Sequence, residues 1–77
     1  MNATLNVKVS NREIEILNLM SHGFTSKEIG KTLFISSLTV DKHKRNMLNK
    51  FKARNAVHLV AQAFAIGYLG LGMSTAE

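Results

Sequence analysis

Lys42, Arg45, Asn46 and Asn49 recur three and four positions apart, a spacing that gathers side chains on one side of an α-helix. All four end in hydrogen-bond donors. Arginine and lysine can donate to O6 and N7 of guanine, and an asparagine amide can pair with N6 and N7 of adenine. The chemistry open to such a face is the reading of base edges, and the projection predicts no apolar residue on it. Asp41 falls on its margin, where a carboxylate can accept from cytosine N4 or pair with Arg45 four residues on. Ser36, Ser37 and Thr39 stand at the start of the same segment, where hydroxyls and a helix N-terminus can hold a phosphate.

The net charge supports an anionic partner. Lys and Arg total 10 against 5 Asp and Glu in 77 residues, a formal charge of +5. Lys42, Lys44, Arg45, Lys50, Lys52 and Arg54 lie close together, and no acid occurs between Asp41 and Glu77. This is a patch rather than an average. A basic helix is as readily a solvated face, so the weight rests on the elements that hold it.

Those elements read as four short helices joined by tight turns. Ser10 followed by Glu13 is a capping box, opening a helix over about Asn11–Ser21 that carries Ile14, Leu17 and Met20; His22-Gly23 closes it. Thr25 with Glu28 opens a second helix, Ser26 to Leu33, burying Ile29 and Leu33. Ser36 caps a third from Ser37 to about Phe51, with Val40, Met47, Leu48 and Phe51 toward the core. Asn55 caps a fourth, in which Val57, Val60, Ala61 and Phe64 fall at core spacing and which Gly67 ends. A short helix, a three-residue turn and a longer helix make a helix-turn-helix. Gly30 allows its two helices to cross closely, at a propensity cost of about 1 kcal/mol. Residues 1–8 read as a flexible arm, 9–69 as one domain and 70–77 as a tail.

Other chemistries find little support. His22, His43 and His58 fall in three different helical segments without Cys or carboxylate partners at ligand spacing, so neither metal nor cofactor is expected. Glu13 and Glu28 are occupied as caps. No Ser-His-Asp grouping or glycine-rich phosphate loop occurs, and no enzyme is expected. The absence of cysteine fits a reducing compartment. Met1–Val9 lacks the apolar run of a secretory signal. Ala56–Leu71, broken by His58, Gln62, Gly67 and Gly70, falls short of the roughly 20 residues of a membrane span. A soluble, cytoplasmic protein without a membrane partner is the expectation. Lys44 lies toward the core side, so its stem is expected to cover Met47 or Leu48.

Taken in order, Val9-Ser10-Asn11-Arg12-Glu13, Gly23-Phe24-Thr25-Ser26-Lys27-Glu28-Ile29, Leu33-Phe34-Ile35-Ser36, Thr39-Val40-Asp41-Lys42-His43, Asn46-Met47-Leu48-Asn49-Lys50-Phe51 and Arg54-Asn55-Ala56-Val57 resemble the LuxR-type (GerE-like) DNA-binding domain. The resemblance implies an all-α, four-helix domain whose third helix enters the major groove of duplex DNA. It also implies a role in bacterial transcription, with RNA polymerase as a further partner. Base-facing positions of the family map onto Asp41, Lys42 and Arg45, to which the projection adds Asn46. Phosphate-facing positions map onto Thr25, Lys27, Thr39, His43 and Lys50, with Ser36 added as a helix-start hydroxyl. Asp41 stands where a basic residue is common, and Gly30 where alanine is usual.

The family commonly dimerises through its last helix, here about Ala56–Ile66. With Val57, Val60 and Phe64 assigned to the core, a second apolar row of Leu59, Ala63 and Ile66 remains, joined by Tyr68, Leu69 and Leu71. That row is the expected interface of a homodimer, which would set two recognition helices about 34 Å apart on inverted half-sites. The alternative is a protein-interaction module that pairs with another regulator through the last helix and modulates it. A basic amphipathic membrane binder is weaker, because the basic and apolar-rich segments are on different helices.

Overall fold

The computed structural model describes residues 7–70. They form four helices and, among the described residues, no strand: α1 (Asn11–Ser21), α2 (Ser26–Leu33), α3 (Ser37–Phe51) and α4 (Ala56–Ala65). The all-α, four-helix class expected from the sequence is the class observed.

Each helix starts where a side chain closes its first turn. Ser10 Oγ accepts from the Glu13 amide at 3.1 Å, and Glu13 Oε1 accepts from the Ser10 amide at 3.0 Å. Thr25 and Glu28 repeat the exchange at 3.2 and 2.8 Å. Ser36 Oγ accepts from the Thr39 amide at 3.0 Å, and Asn55 Oδ1 from the His58 amide at 2.9 Å. Such a cap contributes about 1 kcal/mol and fixes where a helix begins.

The turns are as local. Phe34 ends α2 and Lys52 ends α3 in left-handed backbone, with φ of 60° and 53°. This costs a non-glycine residue about 1–2 kcal/mol. Hydrogen bonds hold both reversals: Ile35 N donates to Gly30 O and Ala53 N to Leu48 O, each at 2.9 Å. After α4, Gly67 at φ 91° turns the chain back. The amides of Tyr68 and Leu69 then reach Ala63 O at 2.9 and 3.3 Å.

Ile16, Leu17, Ile29, Val40, Met47, Phe51, Leu59, Ala63 and Leu69 form one buried cluster drawn from every helix. α2 and the turn leading into α3 approach closely. A Cβ on buried Gly30 would lie 2.6 Å from the Ile35 carbonyl oxygen. The glycine therefore lets a backbone come where a methyl group would stand, which offsets its propensity cost.

Two expectations need correction. In α4 the buried residues are Leu59 and Ala63, both with no exposed surface, whereas Val57 is 80% and Phe64 36% exposed. Ile66 is half-buried against the cluster. Leu59 and Ala63 are thus spent inside the fold and cannot form a dimer surface. Leu71, assigned to the same row, lies outside the described residues. The helix is apolar on both sides, so its own pattern does not select which side is buried.

The domain edge also lies earlier than expected. The Tyr68 hydroxyl donates to Val7 O, Lys50 Nζ donates to Lys8 O at 3.2 Å, and Val7 and Val9 pack on the core. Tyr68 is placed for this by an edge-to-face contact with Phe51, ring centroids 6.3 Å apart. Val7 and Lys8 therefore belong to the body. Residues 1–6 of the expected arm and 71–77 of the expected tail fall outside the described residues.

Candidate nucleic-acid interface

Helix α3 is held from behind. Val40 and Met47 are fully buried and Phe51 is 6% exposed, which turns the opposite side outward. Lys42, Arg45, Asn46 and Asn49 are all exposed there. Among the described residues neither Lys42 nor Arg45 has a carboxylate within ion-pair distance. The face therefore offers two free cations and two amides on a rod whose back is anchored. A helix of this diameter fits the major groove, and these are the groups that read guanine and adenine edges.

Asp41 is exposed at the margin of this face and does not pair with Arg45. One carboxylate oxygen accepts from Ser26 Oγ in the first turn of α2. A helix N-terminus favours a negative charge, and the contact clasps α2 against α3. It also brings the start of α2, with exposed Thr25 and Lys27, beside the outward side of α3. Thr25 Oγ1 accepts from the Glu28 amide and keeps its hydroxyl proton for another acceptor.

At the start of α3, Ser36 Oγ donates to Thr39 Oγ1 at 2.9 Å while accepting from the Thr39 amide. Thr39 is left with a proton to give, and Ser36 is not. His43 is half-buried on the flank of the helix. Lys44 is half-buried too and lines a groove with Met20, Phe24, Val57 and Val60.

Lys50 departs most from expectation. Its Nζ lies 2.8 Å from Glu13 Oε1, and the Glu13 side chain is only 6% exposed. Burial raises the Glu13 pKa, but the hydrogen bonds from Lys50 and from the Ser10 amide, with the Lys50 charge, outweigh it and hold the carboxyl below its ordinary 4.5. Moving Lys50 to a phosphate would leave a buried carboxylate without its cation. Lys50 ties α3 to α1 and is not a free anchor.

Two features escaped the sequence reading. Leu38, 78% exposed, shares the outward side of α3, so that side is not free of apolar groups as projected; carrying the projection back one turn would have found it. Phe34, 93% exposed at the turn, had no signal, because its left-handed backbone is unusual for phenylalanine. Two of the three histidines make local contacts: His22 Nδ1 lies 2.8 Å from Asn18 O, and His58 Nδ1 accepts from the Arg54 amide at 3.0 Å. Among the described residues no three metal-ligating side chains cluster, and no helix is long and apolar enough to cross a membrane.

Comparison with known proteins gives one family. The family model for bacterial regulatory proteins of the luxR family (GerE) matches residues 7–63. The transcriptional activator protein PhzR of Pseudomonas fluorescens is 40% identical over 63 residues, covering 82% of this chain and 26% of that protein. The virulence factors putative positive transcription regulator BvgA of Bordetella pertussis is 36% identical over 58 residues, 75% of this chain and 28% of that protein. The oxygen regulatory protein NreC of Staphylococcus carnosus is 40% identical over 55 residues, 71% and 25% respectively. The chain thus spans about a quarter of the length of each of these relatives. With four capped helices, a glycine-tight helix-turn-helix and an outward basic α3, the chain belongs to the luxR family of bacterial regulatory proteins, as a DNA-binding domain of transcription regulators.

Proposed function

We propose that the chain binds duplex DNA sequence-specifically, with α3 in the major groove and Lys42, Arg45 and Asn46 reading base edges. The observation that carries this reading is the exposed cation-and-amide face of α3, set opposite buried Val40, Met47 and Phe51. Thr25, Lys27 and Thr39 anchor the phosphate backbone around it, with His43 on the flank. Asp41 clasps α2 to α3 and offers its second oxygen to a cytosine amine at the edge of the footprint.

The bound form in this reading is a homodimer joined through the outward side of α4. Val57, Ala61 and Phe64 lie four and three residues apart there and are exposed, an apolar surface beside a basic one. Two copies would place their α3 helices about one DNA turn, 34 Å, apart on inverted half-sites. The setting is the bacterial cytoplasm, with RNA polymerase as a further partner.

Selection of bound duplexes from a random pool tests the proposal. It should enrich one half-site motif, repeated as an inverted pair, with affinity falling steeply as salt rises. Arg45→Ala should then lose about 1–3 kcal/mol on that site and blunt discrimination at one base pair. An equal loss on every sequence would make Arg45 a phosphate contact. A chain that dimerises but enriches no motif at low salt would favour the interaction-module reading.

A further inference from the structure

We propose that Leu38 is a further base-reading residue, one that packs on the C5-methyl group of a thymine and so fixes a T·A pair in the half-site. This rests on the proposed placement of α3 in the major groove. Leu38 is 78% exposed, and among the described residues it is the only large apolar side chain that α3 shows to solvent. At 100° per residue it projects within about 20° of Arg45 and about 40° of Lys42, on the side opposite Val40. It is therefore part of the reading face and not of a second surface.

The position along the helix also fits. Leu38 lies one turn before Lys42, about 6 Å along the axis, and seven residues before Arg45, about 10 Å. Base pairs succeed one another every 3.4 Å or so, so Leu38 would meet a pair about three steps from the one Arg45 reads. Recognition helices approach base edges most closely with their N-terminal residues, and Leu38 stands in the first turn of α3. Its neighbours Ser36 and Thr39 are polar, and a leucine can neither donate to a phosphate nor neutralise one. The apolar group that the major-groove edges offer is the thymine methyl. Phe34, still more exposed, sits in the turn before the helix and is not part of α3.

The test uses the duplex enriched by selection, with each thymine in turn replaced by deoxyuridine. The exchange keeps base pairing and the groove acceptors and removes only the methyl group. For the unaltered chain one position per half-site should lose about fourfold in affinity, the value of one buried carbon. Leu38→Ala should bind the T and U duplexes equally, and Leu38→Met should retain the preference. Because Leu38 is exposed, helix content by circular dichroism should be the same in all three. Affinity unaffected by uracil at every position, or a uracil penalty that survives in Leu38→Ala, overturns the assignment of Leu38 while leaving DNA binding intact. A chain that binds no duplex at all overturns both.

Discussion

Helices α3 and α4 pack on the same core and show solvent opposite chemistries. Behind α3 lie Val40, Met47 and Phe51, and in front stand lysine, arginine and asparagine. Behind α4 lie Leu59 and Ala63, and in front stand Val57, Ala61 and Phe64. One small domain thus presents a surface suited to a polyanion and another suited to an apolar partner, held apart by a shared interior. The difference teaches how economical the fold is. A core that takes only one to three side chains from each helix leaves the remaining faces free to carry separate tasks.

The contrast within α4 is the easiest to break. Leu59→Ala should cost about 2–5 kcal/mol, since it empties a fully buried site, whereas Val57→Ala should stay within about 0.5 kcal/mol. Urea denaturation of the two variants measures both. Similar losses would mean that the helix is rotated from the position described.

The seating of α3 on α2 comes next. Gly30→Ala should destabilise by about 1–3 kcal/mol despite the better helix propensity of alanine, because the new methyl group meets a backbone oxygen rather than a side chain able to move. A gain in thermal midpoint would show that the crossing can relax.

Two lysines of α3 divide along the same lines. Lys50→Ala should lower stability by about 1–2 kcal/mol, through loss of a hydrogen bond to a buried carboxylate. Lys42→Ala should leave stability alone and weaken DNA binding. If both variants weakened DNA alone, Lys50 would be an anchor after all. The pair also gives a pH signature. The Glu13 carboxyl titrates below 4.5 in the folded chain, so its contribution is present above that value and is lost as the pH falls through the folded value. The urea midpoint should drop as the pH is lowered below 4.5, and Glu13→Gln should drop less.

The smallest effect is at the edge of the footprint. Lys27→Ala should weaken binding to all sequences alike and reduce the salt slope by about 1. A sequence-dependent loss would move Lys27 from the backbone to a base.

How much of this was legible depended on the range of the interaction. The helix limits could be read because a cap joins residues three apart, as Ser10 with Glu13 and Thr25 with Glu28. The outward side of α3 was legible because only one side of it is apolar enough to bury. The side of α4 was not, because two apolar rows compete and the helix's own pattern does not select between them. The Lys50–Glu13 pair joins residues 37 apart, and the Ser26–Asp41 clasp joins residues 15 apart. Neither has a local signature. Family position makes both Lys50 and Asp41 DNA contacts, and only the folded chain shows that each also holds two helices together.

Chemical-shift mapping of the isotopically labelled chain, titrated with its selected duplex, tests the central claim most directly. The account predicts that the side-chain and backbone signals of Leu38, Lys42, Arg45, Asn46 and Asn49 move most, with Thr25 and Lys27 following and Leu59 and Ala63 unmoved. The largest shifts falling on α1 or on the outward side of α4, with those of α3 unchanged, would contradict it.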